Sequence, residues 1–231
     1  MKNSPLNDLP PSGWLREFFV LDDCDPHPAP VNMAIDEVLL QTATSPILRF
    51  YRWQRPSLSF GYFGRLAEVA AESSKRDLVR RWTGGGIVPH GADLTYSFIL
   101  PRAAGRAIPT PQQIYRQIHG AIQQALSENL PVALANADAP KVSDVCFANA
   151  VASDVLVQGR KIAGAAQRRT RAGLLHQGSI QYEGLPDGFR EAFTRALGLE
   201  FSQLTLDSGV LRSAEKLAEQ KYGNPKWLEM R

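Results

Sequence analysis

The stretch Arg80-Arg81-Trp82-Thr83-Gly84-Gly85-Gly86-Ile87-Val88-Pro89-His90, with Leu94-Thr95-Tyr96-Ser97 following after three further residues, sets three successive glycines between a paired arginine and an alternating apolar run. Without Cβ atoms the three glycines leave their amides open and tolerate positive φ, as expected where something approaches the backbone closely. Guanidinium forks beside open amides suit an anionic oxygen, whether carboxylate, phosphate or the head of a carrier-bound group. A hairpin turn without any ligand is the plain alternative for such a run. The stretch lacks the Gly-Lys-Ser/Thr ending of a phosphate-binding loop and the spacing of the dinucleotide fingerprint.

The chain has 231 residues, 44% of them hydrophobic, which is ample for a packed core. Residues 1–14 are polar and proline-rich and read as a loose arm, and 15–231 read as one domain with no linker-like composition inside it. The net charge of +3 is small and the basic residues are scattered, so nucleic-acid binding is not indicated. Two cysteines make no disulfide framework, no apolar run reaches the roughly 18 residues of a membrane span, and no apolar segment follows the charged start. These features point to a cytoplasmic protein without a membrane partner. The four histidines show no metal-ligand spacing, so no protein-built metal site is expected.

Along the chain, Trp14 to Leu21 reads as a strand, broken by the acidic and proline-rich Asp22 to Pro30. A helix follows with Asn32 as its N-cap and Asp36 and Glu37 towards its N-terminal half. Ile47 to Trp53, Ser57 to Tyr62 and Leu94 to Leu100 read as strands, and Glu68 to Lys75 as a helix. Thr110 to Leu130 is the clearest helix, with Ile114, Ile118, Ile122 and Leu126 every four residues. Val155 and Val157 lead into a turn at Gln158-Gly159-Arg160, Ile162 continues beyond it, and Leu174 to Tyr182 forms a third strand interrupted by Gly178. Helices are expected over Asp187 to Leu197 and Ser213 to Tyr222.

A second stretch carries chemistry: Cys146-Phe147, then Gly159-Arg160-Lys161-Ile162-Ala163-Gly164-Ala165-Ala166-Gln167-Arg168-Arg169, then His176-Gln177-Gly178. Lys161 stands just past a hairpin turn in a strand whose next residues are small, so it is held beside a surface with room for a ligand. The plain readings are a solvated lysine and a small buried cysteine.

Together these stretches resemble the biotin/lipoate protein ligase superfamily, in the branch of lipoate protein ligase A and the cysteine-dependent octanoyltransferases. The resemblance runs over about residues 15–185, through Asn32-Met33-Ala34-Ile35-Asp36-Glu37, Pro56-Ser57-Leu58-Ser59-Phe60-Gly61-Tyr62-Phe63, the glycine loop with His90, Leu94 to Ser97, and the Gly-Arg-Lys-Ile-Ala-Gly hairpin. It implies an α+β fold, a central mostly antiparallel sheet flanked by helices, similar to the class II aminoacyl-tRNA-synthetase and biotin-ligase catalytic domains and lacking the ligases' C-terminal accessory domain. It also implies attachment of octanoate or lipoate to a lysine of a lipoyl domain or of the glycine-cleavage carrier protein, with Lys161 matching the family lysine.

Two chemistries are open within that branch. Ligases activate a free acid with ATP and magnesium. The transferases take octanoate from acyl carrier protein through a cysteine thioester, which needs no nucleotide. Cys146-Phe147 stands at the transferase position, whereas Ser153-Asp154 and the third glycine are closer to the ligases. The expectation is octanoyl transfer through Cys146 with no cofactor, Lys161 polarising the thioester carbonyl. Arg80 or Arg81 and the amides of Gly84, Gly85 and Gly86 would hold the head group, with His90, Tyr96, Gly164 and His176 around the pocket. An ATP-dependent ligase, or its large subunit, is the alternative, and a non-catalytic binder of lipoyl domains or fatty acids is the third.

Overall fold

The structure, a computed structural model, describes residues 14–102, 108–138 and 150–230. Ile47–Trp53 is buried over its first five residues whichever way the side chains point, the mark of a strand covered on both faces. It is one of eight strands in a sheet whose members, in chain order, are β1 (Leu15–His27), β2 (Ile47–Trp53), β6 (Leu94–Pro101), β7 (Val132–Leu134), β8 (Val155–Val157), β9 (Arg160–Arg169), β10 (Gly173–Ile180) and β11 (Gly198–Leu204). Their spatial order is β11-β1-β2-β6-β10-β9-β8-β7. The β11-β1 and β1-β2 pairs are parallel and the others antiparallel, so the sheet is mostly antiparallel, as the resemblance implied. A second sheet of three strands, β3 (Ser57–Phe60), β4 (Asp77–Arg80) and β5 (Val88–His90), has β3 in the centre and carries the glycine loop between β4 and β5.

Two helical layers cover the large sheet. On one face lie α2 (Pro111–Leu126) and α3 (Phe189–Leu197), packed on Phe50, Tyr96, Phe98, Leu174 and Ile180. Thr110 caps α2 by accepting from the Gln113 amide while the Gln113 side chain accepts from the Thr110 amide, and Pro111 sits in the first turn where no donor is lost. On the other face lies α1 (Ala29–Thr42), itself covered by α4 (Ser208–Leu217), a π-helical turn (Ala218–Tyr222) and the short α5 (Pro225–Leu228). Helix α1 is therefore buried from Asn32 through Leu40, its polar residues included. The Asn-x-Ala-x-Asp-Glu pattern acquires a reason here. All five Arg49 N–H groups are taken: Nε and Nη2 donate to Asp23 Oδ2, Nη2 to Asn32 Oδ1, and Nη1 to the Asn32 carbonyl and Asp36 Oδ1. Glu37, one position on, accepts from Lys221 Nζ at 2.5 Å and from the Tyr222 hydroxyl, tying the C-terminal segment to α1.

Several local expectations are corrected. β1 does not break at Asp22 but runs to His27 with a register shift between Asp23 and His27, because Asp23 is neutralised by Arg49 and by the His27 ring. Helix α1 starts four residues earlier than expected: Pro28 is its N-cap and Asn32 lies inside, its amide donating to the Arg52 carbonyl across to β2. Glu68 to Lys75 is not a helix; Leu66–Glu68 and Ala70–Glu72 form two separate 3-10 turns. β11 had no alternating pattern to announce it; it pairs in parallel with β1 from Leu15↔Gly198 to Leu21↔Leu204.

Candidate active site

The glycine loop is built on β3. The Arg81 amide donates to the Phe60 carbonyl and the Tyr62 amide to the Thr83 carbonyl, so the loop lies flat on Gly61. A Cβ at Gly61 would fall on the Gly85 carbonyl oxygen and 2.7 Å from that of Gly84, while Gly85 takes φ +83°. The two arginines shape the loop itself. Arg81 donates from Nη1 to Ser59 Oγ and from Nη2 to the Gly84 and Gly86 carbonyls. Arg80, fully buried, donates to the carbonyls of Tyr62, Gly64, Trp227 and Leu228. The structure therefore places Arg80 behind the loop as the tie to the C-terminal helix rather than in the pocket, a correction to its expected role. Thr83 fastens the loop to the sheet: its hydroxyl donates to Gln177 Oε1, and Gln177 Nε2 donates to Asp36 Oδ2, part of the Arg49 network.

Beneath the loop is a pocket with about 430 Å³ of empty space, the open solvent at its mouth included. Met33, Trp53, His90, Lys161, Gly164 and Gln177 are among its lining residues, together with Arg81. The sheet register lays out its floor, since Tyr51 pairs with Thr95, Thr95 with Ser179 and Ser179 with Gly164. With neighbouring strands about 4.8 Å apart, that row crosses roughly 14 Å from β2 to β9.

Lys161 stands at the β9 end of the row. Gln158 (φ +51°) and Gly159 (φ +76°) form the two-residue turn of the β8-β9 hairpin, the left-handed pair that such turns require. The hairpin register, Val155↔Ala163, brings Asp154 level with Gly164. There the Lys161 ammonium meets Asp154 Oδ2 at 2.8 Å, with the two side chains 5% and 0% exposed. The aliphatic stem crosses directly over Gly164: a Cβ there would lie 2.5 Å from Lys161 Cε and 2.7 Å from Nζ. Asp154 is held in turn by the Tyr115 hydroxyl at 2.5 Å and the Val151 amide at 2.7 Å, and the Tyr115 hydroxyl accepts from the Ala165 amide. Burial, reinforced by the Asp154 charge, raises the Tyr115 phenol well above its ordinary range, so it stays a donor to the carboxylate. Asp154 and Tyr115 were not singled out as site residues from sequence, although the hairpin register contained the signal for Asp154.

Two expected site residues are elsewhere. His176 and Tyr96 lie on the opposite face of the sheet, against α2 and α3, with the Tyr96 hydroxyl 3.4 Å from His176 Nε2 and Gln167 Nε2 3.1 Å from His176 Nδ1. Burial pushes the His176 imidazole well below its ordinary range and the Tyr96 phenol well above. Tyr96 bears on the pocket through Gly178, where a Cβ would fall on the Tyr96 ring. Gly84, Gly85 and Gly86 shape the loop above, and His90 and Gly164 are in the wall as expected. Cys146 lies outside the described residues.

Residues 28–203 match the model of the lipoyl protein ligase A/B catalytic domain, and the chain belongs to that family. It is 32% identical over 266 residues to an octanoyltransferase LipM of Symbiobacterium thermophilum, covering 89% of this chain and 96% of that protein. An octanoyltransferase LipM of Oceanobacillus iheyensis is 28% identical over 262 residues, covering 90% and 96%. Among solved structures, a putative lipoate protein ligase of Thermoplasma acidophilum superposes with a TM-score of 0.75 at 22% identity, covering 93% of this chain and all of that one, which establishes the shared fold. Among the described residues no helix is long and apolar enough to cross a membrane.

Proposed function

We propose that this chain is an octanoyltransferase of lipoylation, taking octanoate from octanoyl-acyl carrier protein through a thioester on Cys146 and passing it to a lysine of a lipoyl domain or of the glycine-cleavage carrier protein. The observation that carries the proposal is the Lys161 ammonium, buried beside Asp154 and led over Gly164 into the wall of the pocket. The similarity to the LipM octanoyltransferases over nearly the whole chain supports the choice of acyl group.

The chemistry balances without an external activator. The Cys146 thiolate attacks the donor thioester carbonyl, Lys161 stabilises the oxyanion that forms, and as it collapses the bond to the carrier's sulfur breaks and that sulfur leaves as a thiolate. The acceptor's neutral amine then attacks the acyl-Cys146 carbonyl, forming the amide and releasing the thiolate, and the amine's surplus proton passes to solvent. A cation held rigidly in a dry wall acts more strongly on a developing oxyanion than one in water, because it needs no reorganisation when the charge appears.

The test compares donors. Octanoyl-acyl carrier protein and a lipoyl domain, mixed with the enzyme and no nucleotide, should give octanoylated lipoyl domain by intact mass. Octanoate with Mg-ATP should give neither product nor pyrophosphate. Pyrophosphate release with free acid, and no product from the carrier thioester, would assign the chain to the ligases.

A further inference from the structure

Part of the pocket wall is polar in sequence: Ser59, His90, Thr95 and Ser179 all line it. Hydroxyl and imidazole N–H groups turned toward an acyl chain would be left unpaired on binding, each at the cost of its lost solvation. Their partners in the structure converge on a residue just outside the pocket. Asp93, its side chain 2% exposed, accepts from His90 Nδ1 at 2.8 Å, Thr95 Oγ1 at 2.8 Å and Ser179 Oγ at 2.6 Å on one carboxylate oxygen, and from the Gly91 amide at 3.1 Å on the other. Thr95 Oγ1 accepts in turn from Trp53 Nε1, and the Trp53 ring stacks on His90 at 4.2 Å. On the far side of the ring, His90 Nε2 meets Ser59 Oγ at 2.6 Å, and Ser59 Oγ accepts from Arg81 Nη1.

One arrangement of protons satisfies every member. Burial by itself would push the Asp93 carboxyl up. The Thr95 and Ser179 hydroxyls, the Gly91 amide and the His90 ring all point donors at its two oxygens, which leaves no acceptor for a proton of its own, so the group is a carboxylate. His90 Nδ1 must then be the donor. In the neutral ring Nε2 is the acceptor, which draws the Ser59 O–H toward it while the Ser59 lone pair takes the Arg81 N–H.

We propose that Asp93 is a positioning residue for acyl binding: by gathering the donors of His90, Thr95 and Ser179 behind the wall, it turns a polar stretch of sequence into a surface that accepts a hydrocarbon chain. The inference rests on the acyl-transfer reading for its ligand, but its proton arrangement does not. Asp93→Asn keeps the size of the side chain and replaces an acceptor by an NH₂ donor. Turned one way, the NH₂ faces His90, Thr95 and Ser179; turned the other, it faces the Gly91 amide while one neutral oxygen with two lone pairs must serve three donors, so in either orientation at least one donor of the wall is freed toward the pocket.

The experiment has three arms. Side-chain ¹⁵N–¹H correlation on the wild-type protein should show neutral His90 protonated at Nδ1, with the proton shifted to Nε2 in Asp93→Asn. Calorimetric binding of the unreactive thioether S-octylpantetheine should weaken roughly 10- to 100-fold in Asp93→Asn, and discrimination against a chain carrying a mid-chain hydroxyl should shrink by a similar factor. Adding Ser179→Ala to Asp93→Asn removes one stranded hydroxyl and should recover at least ~3-fold of that loss, whereas a merely structural role for Asp93 would leave the double variant no better than the single. His90 protonated at Nε2 in the wild type, or unchanged affinity and discrimination in Asp93→Asn, would overturn the proposal. The histidine spectrum needs no acyl donor, so it stands even if the carrier thioester proves not to be a substrate.

Discussion

Replacing Gly164 by alanine separates what the pocket needs for stability from what it needs for chemistry. The new Cβ would lie 2.5 Å from Lys161 Cε, 2.7 Å from Lys161 Nζ and 3.4 Å from Asp154 Oδ1. Unstrained contacts sit near 3.5 Å, so the end of the lysine must move by about 1 Å. It is the far end of a flexible side chain and can do so without disturbing the backbone, and Gly164 does not adopt positive φ. Alanine also restricts the unfolded chain more than glycine, worth roughly 0.4–1 kcal/mol in favour of the fold. Stability should therefore be unchanged or slightly raised. In the proposed mechanism the ammonium is nevertheless displaced from the position where it would meet the reacting carbonyl, and a misplacement of about 1 Å can cost ~10²-fold in rate, or about 3 kcal/mol. Single-turnover octanoyl transfer, followed by intact mass and run beside thermal unfolding, checks both halves. A Gly164→Ala protein that turns over at the wild-type rate would refute the claim that the Lys161 path over Gly164 matters to catalysis.

At Gly61 the opposite outcome is expected, because a Cβ there meets the backbone carbonyl of Gly85 rather than a side chain that can yield; Gly61→Ala should lose about 3 kcal/mol, or roughly 10 °C in Tm by calorimetry, and an unchanged Tm would mean that the loop does not rest on β3 as described. His119 is buried and neutral, its imidazole pushed down to about 4 by burial against the opposing pull of Asp154. The unfolded chain, with an ordinary histidine near 6.5, binds the extra proton first, so stability is complete above about pH 6.5 and falls by about 3 kcal/mol as pH drops toward 4. His119→Gln, which can still donate to the Ser153 carbonyl, should flatten the dependence of Tm on pH over that window, and an equally steep slope in the variant would contradict the assignment.

The parts of the fold set by local rules were legible in the sequence. The Ile114-Ile118-Ile122 stripe with its Thr110 cap, the glycine-marked loop and the Gln158-Gly159 turn each declare themselves within a few residues. What could not be read is which face of a strand meets the pocket. β10 is buried on both faces, so nothing in Leu174 to Ile180 separates Gln177 and Ser179, which line the site, from His176, which does not. Arg80 and Arg81 posed the same difficulty: composition suggested two anion-binding forks, but their donors close onto carbonyls as distant in sequence as Trp227 and Leu228. Asp23 reads as part of a break, Asp93 carries no local signal and Asp154 reads only as a ligase-like feature, because their partners, Arg49, His90 with Ser179, and Lys161 with Tyr115, meet them only once the strands are in register. The family resemblance supplied the lysine, while the structure supplied the carboxylate and phenol that hold it.

The central claim is a covalent octanoyl-enzyme on Cys146. Its most direct measurement is peptide mapping of the protein after brief mixing with octanoyl-acyl carrier protein alone, followed by a chase with lipoyl domain. The expected result is one octanoyl group on the Cys146 peptide, removed by hydroxylamine, absent in Cys146→Ser, and transferred to the lipoyl domain without added nucleotide. Product formed at full rate by Cys146→Ser, or an adduct that maps elsewhere and does not chase, would contradict it.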